Sequence, residues 1–266
     1  MTEAANMRKR MIASCGKGGT GKTAFTSMMT RVLLDSGKAG KLLLIDADPA
    51  MGLPLALGMN VRRTMGQIRE EIIKAARSDK ENEKRRVTQM LDYMAFEALN
   101  ETDQFALLAM GRTETLGCYC PVNSILKDTI GTLSKSFDTI IIDGEAGLEQ
   151  INRQVVGQVD TLIIVSDATS RGLKTAEQIE HMVHAEKVIK TEKLGLVFNR
   201  VSGNEDVLKN AAADIGVEIF GFIPQDEKVA YYDLMGKSIL ELTPDSPALK
   251  AVREIVSKHV FPERFQ

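Results

Sequence analysis

Short apolar runs recur along the chain, and polar or glycine-rich segments separate them. The runs lie within the segments 11–13, 41–45, 105–110, 138–143, 161–165 and 193–198. Uninterrupted apolar runs of this length are typical of strands that are buried on both faces of a parallel sheet. The pattern therefore predicts an α/β fold in which helices cover a mostly parallel central sheet.

Helices are predicted between these runs. Apolar side chains recur at helical spacing after the first run, and Gly37 is expected to end that helix; these side chains are Phe25, Met28, Met29, Val32 and Leu33. A last helix at about 246–260 has one apolar face. That face lacks the dense basic flank of a membrane-binding helix, so the helix is expected to pack on its own domain.

Residues 60–104 interrupt the alternation of strands and helices. Two helices are predicted, at about 64–78 and 86–99, on either side of a charged stretch at 78–86. The region is therefore interpreted as a helical insertion. The charged stretch is either a solvated face or a docking surface for another protein.

Length and charge limit the possible architectures and partners. The 266 residues are expected to form a single domain, 1–266, rather than two small ones. A formal charge of −2 gives no general attraction to nucleic acid or anionic membranes, so neither is an expected partner. The basic Arg8–Arg10 segment is not followed by the apolar region of a signal peptide, and a cytoplasmic protein is expected.

A glycine-rich segment at 14–23, Ser-Cys-Gly-Lys-Gly-Gly-Thr-Gly-Lys-Thr, joins the first run to the first helix. Residues 16–23 fit G-x-x-x-x-G-K-[ST], in which backbone N–H groups surround phosphate oxygens at a helix N-terminus. Lys22 is expected to neutralise the outer phosphates, and the Thr23 hydroxyl is expected to ligate Mg²⁺. The predicted nucleotide-binding residues of this loop are Gly16, Lys17, Gly18, Gly19, Thr20, Gly21, Lys22 and Thr23. The alternative is a glycine-rich turn that binds nothing.

Lys17 adds a second positive charge to the loop, which the general motif does not require. The arrangement resembles the deviant P-loop of the MinD, ParA and nitrogenase iron-protein superfamily, in which this lysine reaches the partner subunit's nucleotide. The resemblance implies an ATP-dependent homodimer in which Lys17 acts in trans, as an arginine finger does with effects of about 10³–10⁵ on rate. A solvated loop lysine is the other interpretation.

Acidic residues follow the run at 41–45. Asp46 and Asp48 come at the carboxyl end of a predicted parallel strand, where open α/β sheets place their chemistry. In the resembling superfamily the second acid orients the attacking water, so Lys17, Lys22 and Asp48 are the predicted catalytic residues. Asp48 could instead cap a turn before Pro49.

Two cysteines, Cys118 and Cys120, lie in a predicted loop at 117–121. In an extended segment, residues i and i+2 point to the same side, and two thiolates can share one tetrahedral metal ion. Two thiolates leave such a site half filled, but a dimer that apposes two copies would supply four. The alternative is a pair of ordinary loop cysteines; the odd total of three gives no disulfide framework.

The sequence Gly-Cys-Tyr-Cys-Pro-Val-Asn at 117–123 lies between the two acidic motifs of this deviant P-loop chain. Over essentially its whole length, the chain resembles the CooC family of nickel-insertion ATPases that mature carbon monoxide dehydrogenase. The resemblance implies Ni²⁺ or Zn²⁺ at Cys118 and Cys120 between two subunits. A client metalloenzyme such as carbon monoxide dehydrogenase is the implied partner.

The same resemblance assigns the rest of the nucleotide site. Asp143 is expected to hold Mg²⁺ through water, and the Gly147 amide is expected to sense the γ-phosphate. The amide of Asn199, followed by Arg200, is expected to recognise adenine, and Pro224 is expected to lie in a loop that closes over the base.

The leading functional hypothesis is an ATP-hydrolysing, dimerising metallochaperone. A spatial-organising ATPase of the MinD or ParA type is the main alternative, and an iron–sulfur carrier or nitrogenase-like reductase is a third. A small-molecule kinase is disfavoured because Lys17 suits a dimeric hydrolase. His181 and His184 are interpreted as surface or packing residues.

Overall fold

The computed structural model describes residues 9–77, 93–94, 96–112, 120–148 and 157–264. Its strands are β1 (Arg10–Cys15), β2 (Leu42–Asp46), β3 (Leu99–Glu101), β4 (Phe105–Ala109), β5 (Thr139–Asp143), β6 (Gln158–Ser166), β7 (Lys190–Val201) and β8 (Glu218–Pro224). They form one sheet in the order β3-β4-β2-β5-β1-β6-β7-β8. All the pairings are parallel except that of β3 with β4. The predicted α/β fold with a mostly parallel sheet is confirmed.

Helices lie on both faces of the sheet. They are α1 (Lys22–Ser36), α2 (Gly52–Ala56), α3 (Met65–Arg77), α4 (Cys120–Ser134), α5 (Ser170–His184), α6 (Glu205–Ala212), α7 (Glu227–Leu234) and α8 (Pro247–Ile255). Buried side chains of α1, α2 and α8 belong to the core on one face. Buried side chains of α3, α4, α5 and α6 belong to the core on the other face, which completes three layers.

The strands show why the apolar runs are uninterrupted. In β1, Ile12 packs into the core beneath α1, whereas Ala13 and Cys15 pack into the opposite core. Alternate side chains of a strand point to opposite faces, so a sheet that is covered on both sides needs apolar residues at every position. All five residues of β2, β4 and β5 are buried accordingly.

Some strands extend beyond the apolar runs. β6 and β7 include polar residues at their amino ends because the two strands pair from Gln158 and Lys190 to Ser166 and Phe198. The end of α1 is as predicted: Gly37 follows it with φ 63°, and its N–H donates to the Leu34 carbonyl at 3.1 Å.

The region 60–104 differs in part from its predicted helical character. α3 confirms the first helix, and the second falls largely outside the described residues. Leu99 does not end a helix but begins β3, which pairs antiparallel with β4 at the sheet edge. Met65 and Ile68 of α3 also pack into the main core, so this helix is part of the layer over the sheet.

At the cysteine pair, a helix begins inside the predicted loop. The predicted loop at 117–121 was wrong at its carboxyl end, because Cys120 is the first residue of α4. Pro121 is tolerated there, since the first turn of a helix does not use its backbone N–H groups. Cys118 lies outside the described residues.

The last helix packs on its own domain, as predicted. Leu249, Val252 and Ile255 of α8 are buried, and a π-helical turn over Val256–Val260 continues the same face. Within the described ranges, no helix is long and apolar enough to cross a membrane.

Candidate nucleotide site

The glycine-rich loop follows β1, which lies between β5 and β6 near the middle of the sheet. The chain passes from β1 to strands on one side of it and later returns to β6 on the other side. Ligands of open α/β sheets bind at such a switch point, outside the carboxyl ends of the strands. A cleft of about 850 Å³ opens there, and it is lined by Gly18, Gly19, Gly21, Lys22 and Thr23, among others.

Two glycines of the loop cannot be replaced without a shift. Gly16 has φ 137°, and a Cβ on it would lie 2.2 Å from the Val165 carbonyl oxygen of β6. Gly21 has φ 86°, and a Cβ on it would lie 2.3 Å from Nδ2 of Asn199. Both are backbone conformations that side chains disfavour. The motif therefore encodes the close packing of the loop against β6 and β7.

The loop is curled around the carbonyl oxygen of Lys17. That oxygen accepts hydrogen bonds from the Thr20 hydroxyl at 2.9 Å and from Nζ of Lys22 at 3.3 Å. Lys22 is only 8% exposed. The amine predicted to neutralise phosphates is thus held over the loop where the anion would enter.

Thr23 and Asp143, the two residues predicted to act at Mg²⁺, meet at the base of the loop. The Thr23 hydroxyl donates to Oδ2 of Asp143 at 2.7 Å. The other carboxylate oxygen contacts the hydroxyls of Thr26 at 3.0 Å and Ser14 at 3.1 Å. Burial raises the pKa of Asp143, and these hydroxyl hydrogen bonds offset part of that effect.

A second buried carboxylate lies beside this group. Asp46 ends β2 in register with Asp143 of β5. Burial, followed by the charge of Asp143, raises the pKa of Asp46 to about 7. Carboxylate and hydroxyl oxygens are the ligands that Mg²⁺ prefers, and a cation would relieve the repulsion between the two acids. The residues present therefore fit Mg²⁺.

Asp48 lines the cleft, and it also caps a turn. Its Oδ1 accepts from the Ala50 N–H at 2.8 Å, which is the turn-capping contact considered as the alternative. The next residues lead into α2 through Met51, which has φ 54°. Backbone strain of this kind is common at functional sites. The predicted water-positioning role of Asp48 is compatible with its place but stays a prediction.

Lys17 pairs with a residue whose role the sequence did not reveal. Its Nζ lies 2.8 Å from Oδ2 of Asp167, and both side chains are about one-third or less exposed, at 32% and 26%. Partial burial alone would raise the pKa of Asp167, but hydrogen bonds from Lys17 and Thr169 hold it below its usual value. Asp167 directly follows β6, the strand that Gly16 touches, and no local pattern in the sequence marks this pair.

The predicted base-recognition residues line the far part of the cleft. Asn199, Arg200 and Pro224 all border it. The Asn199 amide donates to the Thr20 carbonyl at 2.8 Å and accepts from the Arg200 N–H at 3.0 Å. Each amide atom keeps a second hydrogen-bonding position. Adenine recognition by Asn199 stays a prediction.

One wall of the cleft was missed by sequence reasoning. It is formed by α7, together with α2, parts of α1 and α8, and the 3₁₀ turn Ile239–Glu241; the residues are Met28, Leu55, Ala56, Val229, Ala230, Asp233, Leu234, Ile239 and Ala248. The available signal was Asp226, which accepts from the Lys228 N–H at 2.8 Å and caps α7. Asp226 lies two residues after Pro224, which ends β8 and does not lie in a loop as predicted. A role for Pro224 at the base stays a prediction.

Not all predicted site residues are brought together. Glu145 and Ala146 line the cleft, and Gly147 follows with φ 117°, but its contact with a γ-phosphate stays a prediction. Cys15 is buried in the core, where burial raises the pKa of its thiol to about 12. Among the described residues, no three His, Cys, Asp or Glu side chains form a metal-binding group.

Comparisons with known proteins agree with this geometry. Residues 11–239 match the CobQ/CobB/MinD/ParA nucleotide binding domain. An uncharacterised ATP-binding protein of Methanocaldococcus jannaschii is 39% identical over 252 residues, which cover 93% of this chain and 97% of that protein.

Two further relatives differ in their stated roles. The carbon monoxide dehydrogenase accessory protein CooC of Rhodospirillum rubrum is 30% identical over 244 residues, covering 88% of this chain and 90% of that protein. The MinD structure of Pyrococcus horikoshii, a complex with Mg-ADP, has a TM-score of 0.68 at 22% identity and covers 96% of this chain and 98% of that one. The chain therefore belongs to the CobQ/CobB/MinD/ParA nucleotide-binding domain family and is a P-loop ATPase.

Proposed function

We propose that this ATPase is a dimerising metallochaperone that binds a soft divalent metal, best matched by nickel, between two subunits. Its client would be carbon monoxide dehydrogenase or a related metalloenzyme. The observation that carries the proposal is the Cys118-x-Cys120 pair in a chain that is 30% identical to a carbon monoxide dehydrogenase accessory protein.

The nucleotide half of the proposal rests on the cleft. Lys22 and the loop N–H groups would bind the phosphates of ATP, and Thr23 with Asp143 and Asp46 would hold Mg²⁺. The ion would neutralise charge that develops on the phosphates. Asp48, which lines the cleft, would position the attacking water. Asn199 and the wall formed by α7 would enclose the base.

Lys17 supplies the argument for a dimer. Within its own chain, the Lys17 amine pairs with the Asp167 carboxylate. The Lys22 amine, in contrast, donates to a carbonyl oxygen of the loop itself. The Lys17 side chain is 32% exposed, so its amine can reach another molecule without unfolding the loop. We assign to Lys17 a contact with the nucleotide of the partner subunit. This contact would make ATP binding and dimerisation interdependent.

The metal half of the proposal rests on ligand number. Thiolates are preferred by soft and borderline metals, and a closed tetrahedral site needs four ligands. One chain offers two in the Cys-x-Cys sequence, so two chains complete a four-sulfur site. Loading the site would then require the dimer, and ATP hydrolysis would release the metal by opening it.

Metal titration of reduced, metal-free protein tests this function. Ni²⁺ and Zn²⁺ should bind the wild type in the presence of Mg-ATP, and binding should be lost in Cys118→Ser/Cys120→Ser. The double variant should keep its affinity for a fluorescent ATP analogue, because neither cysteine lies in the nucleotide loop. Unchanged metal binding in the double variant would refute the proposal.

A second candidate is a spatial-organising ATPase of the MinD or ParA type. A specific observation favours it: MinD of Synechocystis is 28% identical over 239 residues, covering 84% of this chain and 78% of that protein. The buried apolar face of α8 counts against membrane binding through that helix. ATP-dependent co-sedimentation with DNA or with anionic vesicles would support this candidate over the metallochaperone.

A further inference from the structure

We propose that Asp226 is a positioning residue for nucleotide binding, because it fixes α7, one wall of the cleft, to the firmly packed helix α8. This role rests on the proposed function, in which α7 encloses the base. Asp226 acts on the base through the two helices rather than through a contact with the nucleotide.

α7 is a wall that has little packing of its own. It borders the cleft with Val229, Ala230, Asp233 and Leu234. The whole helix lies within the described residues, and none of its side chains is buried. Val229 and Tyr232 pack against the core, but both are only partly buried. Because most helical stability in proteins comes from packing, the position of α7 depends on what holds its two ends.

Asp226 holds the first end of α7. Its Oδ1 accepts from the Lys228 N–H at 2.8 Å and so caps this helix. Its Oδ2 accepts from the Ser246 hydroxyl at 2.6 Å and from the Ala248 N–H at 3.2 Å, at the start of α8. The two oxygens of one carboxylate therefore join the first turns of two helices.

α8 is the rigid side of this link. Leu249 and Val252 anchor the helix in the core. Ser246 is fully buried, and its hydroxyl accepts from the Leu249 N–H at 3.1 Å while it donates to Asp226. Since Ser246 is closed off from solvent, it cannot touch a nucleotide in the cleft. An effect of Ser246 on nucleotide binding must therefore pass through the protein.

The charge of Asp226 suits it to a link between two helices. Partial burial alone would raise the pKa of Asp226, but hydrogen bonds from Ser246 and from the N–H groups of Ala248 and Lys228 hold it below its usual value. An ionised carboxylate accepts hydrogen bonds at both oxygens, whereas an amide of the same shape accepts at one. Asparagine at position 226 could therefore cap only one of the two helices.

The far end of α7 is tied to α2. Ser238 follows α7, and its hydroxyl donates to the carbonyl of Leu57, the residue that caps α2, at 2.8 Å. A Cβ on Gly58 would lie 3.1 Å from the Cβ of Ser238, so the two segments are in close contact. α7 is thus held between α8 and α2. Loss of the link at Asp226 would free one end of the wall while the other end stays fixed.

The test compares a ligand that carries a base with one that does not. Affinities for ATP and for inorganic triphosphate, both with Mg²⁺, are measured by competition against a fluorescent ATP analogue. In Asp226→Asn, the Kd for ATP should rise about tenfold, as expected for the loss of one hydrogen bond to a charged group, while the Kd for triphosphate stays within about twofold. Ser246→Ala should show the same selective loss.

Asp245→Asn is the matched control. Asp245 directly precedes Ser246, and its exposed carboxylate pairs with Nζ of Lys228 at 2.6 Å. This change removes one negative charge beside the same helices, but it leaves both links of Asp226 intact. The variant should bind ATP and triphosphate as the wild type does. If Asp226→Asn does not fold, as judged by its thermal unfolding, Ser246→Ala alone decides the test.

Two results would overturn the inference. Equal losses of ATP and triphosphate affinity in Asp226→Asn would mean that the link does not act on the base. Wild-type affinities in Ser246→Ala would mean that Asp226 does not act through α8. Neither measurement uses nickel, zinc or the cysteines. Failure of soft-metal binding would therefore refute the proposed metallochaperone and leave the role of Asp226 standing, and the reverse also holds.

Discussion

At the residue scale, three hydroxyl groups surround the buried carboxylate of Asp143, and only one of the three faces the cleft. Thr23 lines the cleft and contacts Asp143, whereas Thr26 and Ser14 are fully buried. The buried pair orients the carboxylate from behind. The Thr23 hydroxyl is therefore the one that can turn from Asp143 toward a metal ion in the cleft.

Removal of this hydroxyl should impair Mg²⁺-dependent hydrolysis. Thr23→Ala is expected to lower the ATPase rate by about 10–100-fold, a range typical for the loss of a group that holds or orients a metal. Nucleotide affinity measured in EDTA should change little, because the loop N–H groups remain. Thr23→Ser retains the hydroxyl and should restore most of the rate; equal losses in both variants would contradict the assigned role.

The raised pKa of Asp46 should make the free energy of unfolding depend on pH. Its pKa is raised from 3.8 to about 7, so between these values the folded protein binds more protons than the unfolded chain does. Stability should therefore fall as pH rises through this window, by about 1.4 kcal/mol for each unit of pKa difference at most, and then level off.

The measurement is the free energy of unfolding in guanidinium chloride without Mg²⁺, at pH 5 and pH 7.5. Wild type should lose stability relative to Asp46→Asn between the two values, since the amide does not ionise. The comparison cancels the opposite contribution of His259, whose pKa is lowered by burial. Mg²⁺ should restore the wild type at pH 7.5, and a constant difference between the proteins would refute the account.

The residue scale also shows what the sequence could not supply. The loop motif predicted phosphate and Mg²⁺ roles for Lys22 and Thr23, because nucleotide-binding loops fix the spacing of these residues. The partner of Lys17 could not be found in this way, since Asp167 is adjacent only because β6 pairs with β1. Contacts of that kind depend on strand order, which local patterns do not contain.

At the element scale, α8 is the helix whose role most affects the choice between functions. Leu249 and Val252 are 1% and 0% exposed, while Lys250 between them is exposed. The helix starts at a firm cap, because the Ser246 hydroxyl accepts from the Leu249 N–H at 3.1 Å. Its apolar face is therefore part of the core beside β8.

Substitution in α8 distinguishes a packed helix from a surface-binding one. Leu249→Ala should lower the free energy of unfolding by about 2–5 kcal/mol, as large-to-small changes in cores do. Lys250→Ala, one position away, should change it by less than about 0.5 kcal/mol. Denaturant titration gives both values. A small loss for Leu249→Ala would mean that the face is free for another surface.

Elements differed in how well the sequence predicted them. β4 and β5 were found nearly to the residue, because a strand covered on both faces is apolar throughout. β3 was missed, since Leu99–Glu101 is too short for a pattern and follows a region of helical spacing. α7 was missed as a wall of the cleft because its exposed, mixed surface has no clear apolar stripe.

At the scale of the whole molecule, the sheet order brings the loop after β1 and the acidic ends of β2 and β5 to one edge. Lys17 lies at this edge but is paired with Asp167, on the side of β6. The motifs in the sequence predicted that these elements meet at a nucleotide site. The sequence could not predict that the chain at 110–112 contacts the first turn of α3, because that contact needs the packed helix layer.

Lys17 should separate nucleotide binding from dimerisation. Lys17→Ala is expected to bind a fluorescent ATP analogue with near wild-type affinity, because Lys22 and the loop remain. It should stay monomeric with Mg-ATP at concentrations at which wild type forms dimers, as judged by light scattering after size-exclusion chromatography. Lys250→Ala is the control for loss of one exposed lysine, and nucleotide-dependent dimers of Lys17→Ala would contradict the trans role.

The central claim is that two chains together make one metal site. Native mass spectrometry of wild-type protein with Mg²⁺, a non-hydrolysable ATP analogue and Ni²⁺ tests it most directly, because it counts metal ions on monomers and dimers separately. The account predicts one nickel ion on each dimer and none on the monomer. Nickel bound to the monomer, or two ions on each dimer, would contradict it.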